Sequence, residues 1–143
     1  MINDIIAGIS KKLYATFGEN YPVYVEDVEQ YLQEPCFCIT HVTTSQQRIS
    51  TYRYITKNLF DILFFADDGQ EKKNQMHTTA NQLFDALEYI QAPVNDTLNG
   101  INMRYEIVDG VLHFFVNYDI VLIKKDDDNS KMEQKTVNVG VKE

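Results

Sequence analysis

The sequence predicts an α+β domain: a mixed, mainly antiparallel sheet with two helices packed on one face. The predicted order is α-β-β-β-α-β-β, with a long β-hairpin and a flexible C-terminal tail. Three observations predict this class. Asp109-Gly110 lies between two apolar-rich segments, and that dipeptide suits a two-residue type I′ turn, whose central residues both need φ > 0. Two stretches carry apolar residues at helical spacing. Between them, from Cys36 to Ala66, the chain is rich in β-branched and aromatic residues, as strands are.

The elements follow in order. Ile2, Ile5, Ile6, Ile9 and Leu13 repeat at i, i+3, i+4, i+7 and i+11, so Ile2 to Phe17 is an amphipathic helix that Gly18 can end. Tyr21 to Val25 reads as a short strand whose proline marks a start or an edge. Asp27 to Glu34 is polar and reads as a loop or a helical turn. Cys36–Thr43 and Ser50–Ala66 form a long hairpin with a polar, partly basic tip. Its Leu59–Phe65 end is nearly continuously apolar, as in a strand buried on both faces or at a subunit contact. Asp67-Asp68-Gly69 breaks the strand, and either aspartate can cap the next helix. Met76, Ala80, Leu83, Phe84, Leu87 and Ile90 place that helix at roughly residues 70–90. Residues 93–100 read as a loop.

The final hairpin has a register set by its turn. Val108 faces Val111, Ile107 faces Leu112, Tyr105 faces Phe114 and Met103 faces Val116. One face is therefore apolar and buried; the other carries Arg104, Glu106, His113, Phe115 and Asn117. From Lys125 the composition turns charged and polar, dividing a domain at 1–124 from an extension at 125–143. Val137, Val139 and Val141 alternate at period two, so the extension is either a solvated tail or a strand donated to a neighbouring sheet edge.

Composition narrows the function. With 143 residues the chain makes one domain with a sizeable core. No apolar run reaches the roughly 18 residues of a membrane span, and the first helix lacks a basic leader region, so the expected compartment is the cytosol. The net charge of −8 argues against tight nucleic-acid binding, because phosphate contacts favour basic surfaces. Cys36 and Cys38 share one strand face and read as buried thiols; a lone Cys-x-Cys makes a poor zinc site. His41, His77 and His113 are scattered. Asp126 to Asp128 lack the glycine and distal glutamate of a calcium loop. Glu26, Asp27 and Glu29 form the strongest acid cluster, with nothing nearby to raise a pKa. No catalytic motif is present, so the expectation is a non-enzyme with no cofactor and no metal. Tyr52, Tyr54, Phe60, Phe64, Phe65 and Phe115 crowd the strands; they either fill the core or meet a partner.

One resemblance rests on particular residues: Met1 to Ile6 leading into Phe17-Gly18, Val28-Glu29-Gln30, Glu34 to Phe37, Phe60-Asp61-Ile62, Leu83 to Glu88, and Met103 to Tyr118. Over about residues 1–124 the chain resembles the small phage tail terminator proteins of Gram-positive phages, prophages and contractile tail-like bacteriocin clusters. That resemblance implies a structural protein of the virion tail, or of a tail-like particle, at its head-proximal end and assembled in the host cytoplasm. It implies a homo-hexameric ring that caps the tail tube protein, meets sheath protein in contractile tails and offers a surface to the neck. DNA would pass the lumen without specific binding, and no membrane is involved. A ring needs two unlike patches on each copy, and the candidates are the apolar Leu59–Phe65 strand end and an opposing helical face. On this physical reading, not on the resemblance, ring contacts are assigned to Tyr52, Tyr54, Leu63, Phe65 and Phe115, and tube or lumen contacts to Arg48, Arg53 and Lys57. A head–tail connector or neck adaptor is the neighbouring alternative; a small enzyme or ligand-binding domain is the distant one.

Overall fold

The computed structural model describes residues 1–26, 33–92, 96–125 and 133–138. They form two helices and seven strands: α1 (Ile2–Phe17), β1 (Val23–Val25), β2 (Cys36–Arg48), β3 (Arg53–Phe65), α2 (Lys72–Ala86), β4 (Tyr89–Ala92), β5 (Asp96–Val108), β6 (Val111–Lys125) and β7 (Glu133–Asn138). The sheet runs β1-β2-β3-β6-β5-β4, with β7 also on β6. Only β1–β2 is parallel; every other pair is antiparallel.

The sheet is built outward from β3 and β6, which pair continuously from Arg53↔Ile123 to Phe64↔Leu112. Both strands alternate in burial. Thr56, Asn58, Phe60, Ile62 and Phe64 of β3 are buried, as are Leu112, Phe114, Val116, Tyr118, Ile120 and Leu122 of β6. The intervening residues that face the other way are half-buried or exposed. A strand places successive side chains on opposite faces, so the two sequences specify one dry face and one partly wet face. Ile5, Ile9 and Leu13 of α1 and Met76, Ala80 and Leu83 of α2 join the dry face in one core. This is the α+β architecture with both helices on one side.

The turn expectations hold from Tyr105 to Phe114, but the expected Met103–Val116 pair does not form, because the ladder shifts register between Ile101 and Arg104. Asp109 and Gly110 have φ of 53° and 77°, and Ile107↔Leu112 and Tyr105↔Phe114 pair as read from the sequence. Beyond Arg104 a bulge inserts Asn102, whose φ is 53°, a conformation asparagine tolerates better than most residues. Gly18 closes α1 with φ 87° and donates its N–H to Tyr14 O at 3.0 Å.

Four local expectations differ. Helix α2 stops at Ala86, and Ile90 lies on β4, though still fully buried. A continuing helix would need the Leu87 and Glu88 carbonyls for its own bonds. Instead Tyr118 Oη donates to Leu87 O at 2.7 Å, and Gly100 N donates to Glu88 O at 2.7 Å. Residues 96–100, expected in a loop, are therefore the start of β5. The hairpin is longer than expected, because β2 bulges at Val42 and continues paired as far as Arg48↔Tyr54. Glu71, not Asp67 or Asp68, sits at the α2 N-cap, and its side chain makes no cap bond; Asp68 instead pairs with Lys72 at 3.5 Å.

Part of the C-terminal extension, Glu133–Asn138, pairs with β6 of its own chain, opposite residues 120–125. Val137 lies in this strand; Val139 and Val141, and the aspartate run 126–128, lie outside the described residues.

Two glycines are required by close approach. A Cβ at Gly8 would stand 2.7 Å from Gln91 O, where α1 crosses β4. A Cβ at Gly100 would stand 2.5 Å from Leu87 O and 2.8 Å from Val116 Cγ2. Gly100→Ala is expected to destabilise the fold by about 1–3 kcal/mol through overpacking. A urea melt reads this as a lowered midpoint, and an unchanged midpoint would contradict the contact.

Candidate functional site

The sheet face opposite the helices carries a strip of apolar and charged side chains. Register places Cys36 beside Phe65, Cys38 beside Leu63, Leu63 beside His113, Asp61 beside Phe115, and Phe115 beside Arg104. These residues make one strip across four strands. No described helix lies on it. Leu63, Phe65 and Phe115 are half-buried, held upright by neighbours yet open above.

A charged cluster sits in this apolar strip. His113 Nδ1 donates to Asp61 Oδ2 at 2.8 Å. Arg104 Cζ lies 4.2 Å from the centroid of the Phe115 ring, a cation–π distance, and the guanidinium also stands 3.8 Å from Glu106. The His113 and Phe115 rings lie within 15° of parallel. Asp61 Oδ1 is buried and has no hydrogen-bond partner among the described residues. Burial pushes the Asp61 carboxyl above its ordinary range, against the opposing pull of the His113 bond and charge. Asp119, further along β6, is also raised by burial, with Lys57 opposing. An unpaired buried acceptor is costly, so Asp61 Oδ1 marks unfinished hydrogen bonding on this face.

The remaining candidates divide between surfaces. Arg48 is tied into the hairpin turn: Nε donates to Ser50 O at 3.2 Å and Nη2 to Thr51 O at 3.0 Å. Its guanidinium stands 5.8 Å from the Tyr54 ring, and Lys124 Nζ stands 4.5 Å from the same ring. Tyr54 therefore belongs to the helix-side face, apart from Leu63, Phe65 and Phe115. Arg53 and Lys57 point to the outer face and are exposed. Tyr52 sits exposed in the turn beside exposed Ile49, and its carbonyl accepts from Lys124 N at 2.8 Å.

The groups weighed for chemistry are spread apart. His41 Nε2 lies 2.7 Å from Thr44 Oγ1, His77 Nδ1 lies 2.8 Å from Tyr105 Oη, and His113 holds Asp61. Glu26 is used structurally: its Oε2 accepts from His41 N at 2.7 Å, where β1 has ended and β2 would lack a partner. Asp27 and Glu29 lie outside the described residues. The Cys36 and Cys38 thiols are free; burial raises Cys36 to about 11 and raises Cys38 as well, so both are protonated at neutral pH and poor nucleophiles. Among the described residues no group of three or more His, Cys, Asp or Glu side chains is placed to hold a metal, and no helix is long and apolar enough to cross a membrane.

Sequence reasoning singled out Leu63, Phe65 and Phe115 but missed the Asp61–His113 pair between them. The available signal was Asp61 itself, a lone carboxylate inside the apolar run Leu59–Phe65.

The fold defines an α+β protein whose sheet carries a half-apolar strip on the face away from the helices. The chain matches the family described as phage tail terminator protein over residues 4–130, and it belongs to that family. No curated protein matches it. The family fixes a structural, tail-terminating role in the virion tail.

The raised Asp61 pKa sets a sign for pH dependence. A carboxyl whose folded pKa exceeds its unfolded value contributes stability fully below the unfolded pKa and loses it as pH rises through the folded pKa. Unfolding of wild type and Asp61→Asn across the acid range is expected to show wild type falling relative to the variant as pH rises. A difference independent of pH would contradict the burial assignment.

Proposed function

We propose that the protein ends tail growth as a closed ring of six copies seated on the last ring of the tail tube. The ring blocks further addition of tube subunits and leaves a surface for the neck, and for the last sheath layer where the tail contracts. DNA passes the lumen without specific binding, in keeping with the net charge of −8.

The observation that carries this reading is the half-apolar sheet face centred on Leu63, Phe65 and Phe115, in a chain of the tail terminator family. A rotational ring needs two unlike patches on each copy, because its contacts are heterologous. The outer face is one patch. The hairpin tip, with exposed Ile49 and Tyr52 and the cations Arg53 and Lys57, is unlike it in charge.

Electron microscopy of particles made with and without the gene tests the role. Overlong tubes in its absence support termination. Normal-length tails beside unattached heads would identify a neck adaptor instead. Phe65→Asp is expected to leave a folded chain, with stability within about 1 kcal/mol of wild type, as for most surface substitutions. The same variant is expected to reproduce the overlong tubes. Loss of the fold would place Phe65 in the core, and normal tails would remove the face from the contact.

A further inference from the structure

We propose that the tip of the β2–β3 hairpin of one copy docks on the outer sheet face of the next copy in the ring, with Arg53 donating to the partner's Asp61. This rests on the ring reading above and names the surfaces that close it.

Three observations point to a second copy as the occupant. The first is an acceptor without a donor. Asp61 Oδ1 is buried and unpaired among the described residues, at the centre of the strip, while its sister oxygen is already held by His113. A buried carboxylate oxygen is satisfied best by a charged donor, and a guanidinium matches carboxylate geometry.

The second is a donor without an acceptor. Arg53 is exposed and makes no ion pair or hydrogen bond through its side chain among the described residues, whereas Arg48 is committed to its own turn. Between Glu34 and Asp61 the sequence holds no acidic residue, yet it holds Arg48, Arg53 and Lys57. In a chain of net charge −8, the hairpin is the cationic arm of an acidic body. Charge complementarity of this kind steers and registers a contact. The tip also carries exposed Ile49 and Tyr52, apolar partners for the open tops of Leu63 and Phe115.

The third is geometric. Arg53 and Asp61 are on the same face of the same strand, eight residues apart, which is about 27 Å at a strand rise of about 3.4 Å per residue. Strand β3 is paired on both sides along this length, with β2 and β6. The tip cannot fold back onto its own Asp61. The donor and the acceptor meet only between copies, and the contact is head-to-tail, as a ring requires.

The test uses assembled tails carrying p-benzoyl-phenylalanine in place of Tyr52. Irradiation and mass spectrometry are expected to give a product of two copies of this chain, linked from position 52 to residues 36–40, 59–65 or 113–117. A product with the tube subunit would overturn the proposal in favour of a tube contact by the hairpin. So would the absence of any product in tails whose terminal ring is visible by electron microscopy. Absence of the ring itself would remove the ring reading, and this proposal with it. Arg53→Glu and Asp61→Asn supply a second readout. Each is expected to lower ring occupancy about tenfold, roughly 1.4 kcal/mol, and the double variant no further than either alone. Multiplying losses in the double variant would show that the two residues act separately and would overturn the pairing.

Discussion

The structure depends on the antiparallel pairing of β3 with β6. Two strands that alternate in character are locked in register over their length, so every odd residue shares one face and every even residue the other. A slip by one residue would turn Phe60, Ile62, Phe64, Phe114 and Val116 away from the helices. Buried polar groups reinforce the register. Asn58 Nδ2 donates to Tyr118 O at 3.0 Å, Thr56 Oγ1 donates to Ile120 O at 3.1 Å, and Thr44 Oγ1 donates to Asn58 Oδ1 at 2.8 Å. These bonds satisfy side chains that would be costly to bury alone, and they fit only one alignment of β2, β3 and β6.

The helices are fixed to that pair at one junction. Tyr118, fully buried on β6, reaches across the core to the Leu87 carbonyl at the end of α2, and Gly100 brings β5 against the same turn. The chain leaves α2, enters β4 and returns through β5 within a space that admits no Cβ at Gly100. Gly8 performs the matching function where α1 meets β4. The dry face is thus closed from one side, and the half-apolar strip of Leu63, Phe65 and Phe115 lies on the other.

Much of this was legible in the sequence, for physical reasons that can be named. Asp109-Gly110 announced its turn because few other dipeptides accept positive φ twice, and the turn carried the register of the hairpin with it. The isoleucines of α1 announced a helix because their spacing fits no strand. Ile90 misled because its spacing from Leu83 and Leu87 continues the helical stripe, while the bonds that end α2 come from Gly100 and Tyr118, remote in sequence. The site was half legible. Leu63, Phe65 and Phe115 share a parity and an apolar character, so they were found together. Tyr54 was grouped with them by chemistry alone, although its parity on β3 puts it on the opposite face. Arg48 was grouped with Arg53 and Lys57 by proximity in sequence, but the bulge at Val42 and the turn separate them. The Asp61–His113 pair joins residues of two strands and leaves no local signature.

A tail-terminating protein meets other tail components, and in the proposed reading it does so through this sheet. The sheet has one face closed by the helices and one half-apolar face, whose strip is interrupted by Asp61, His113 and Arg104. The central claim is that this strip becomes a buried contact. The most direct measurement is a cryo-electron microscopy reconstruction of the head-proximal end of the native tail. The account predicts a ring in which Leu63, Phe65 and Phe115 of each copy are covered by a neighbouring copy. A ring closed through its helical faces, with that strip open to solvent or to the lumen, would contradict it.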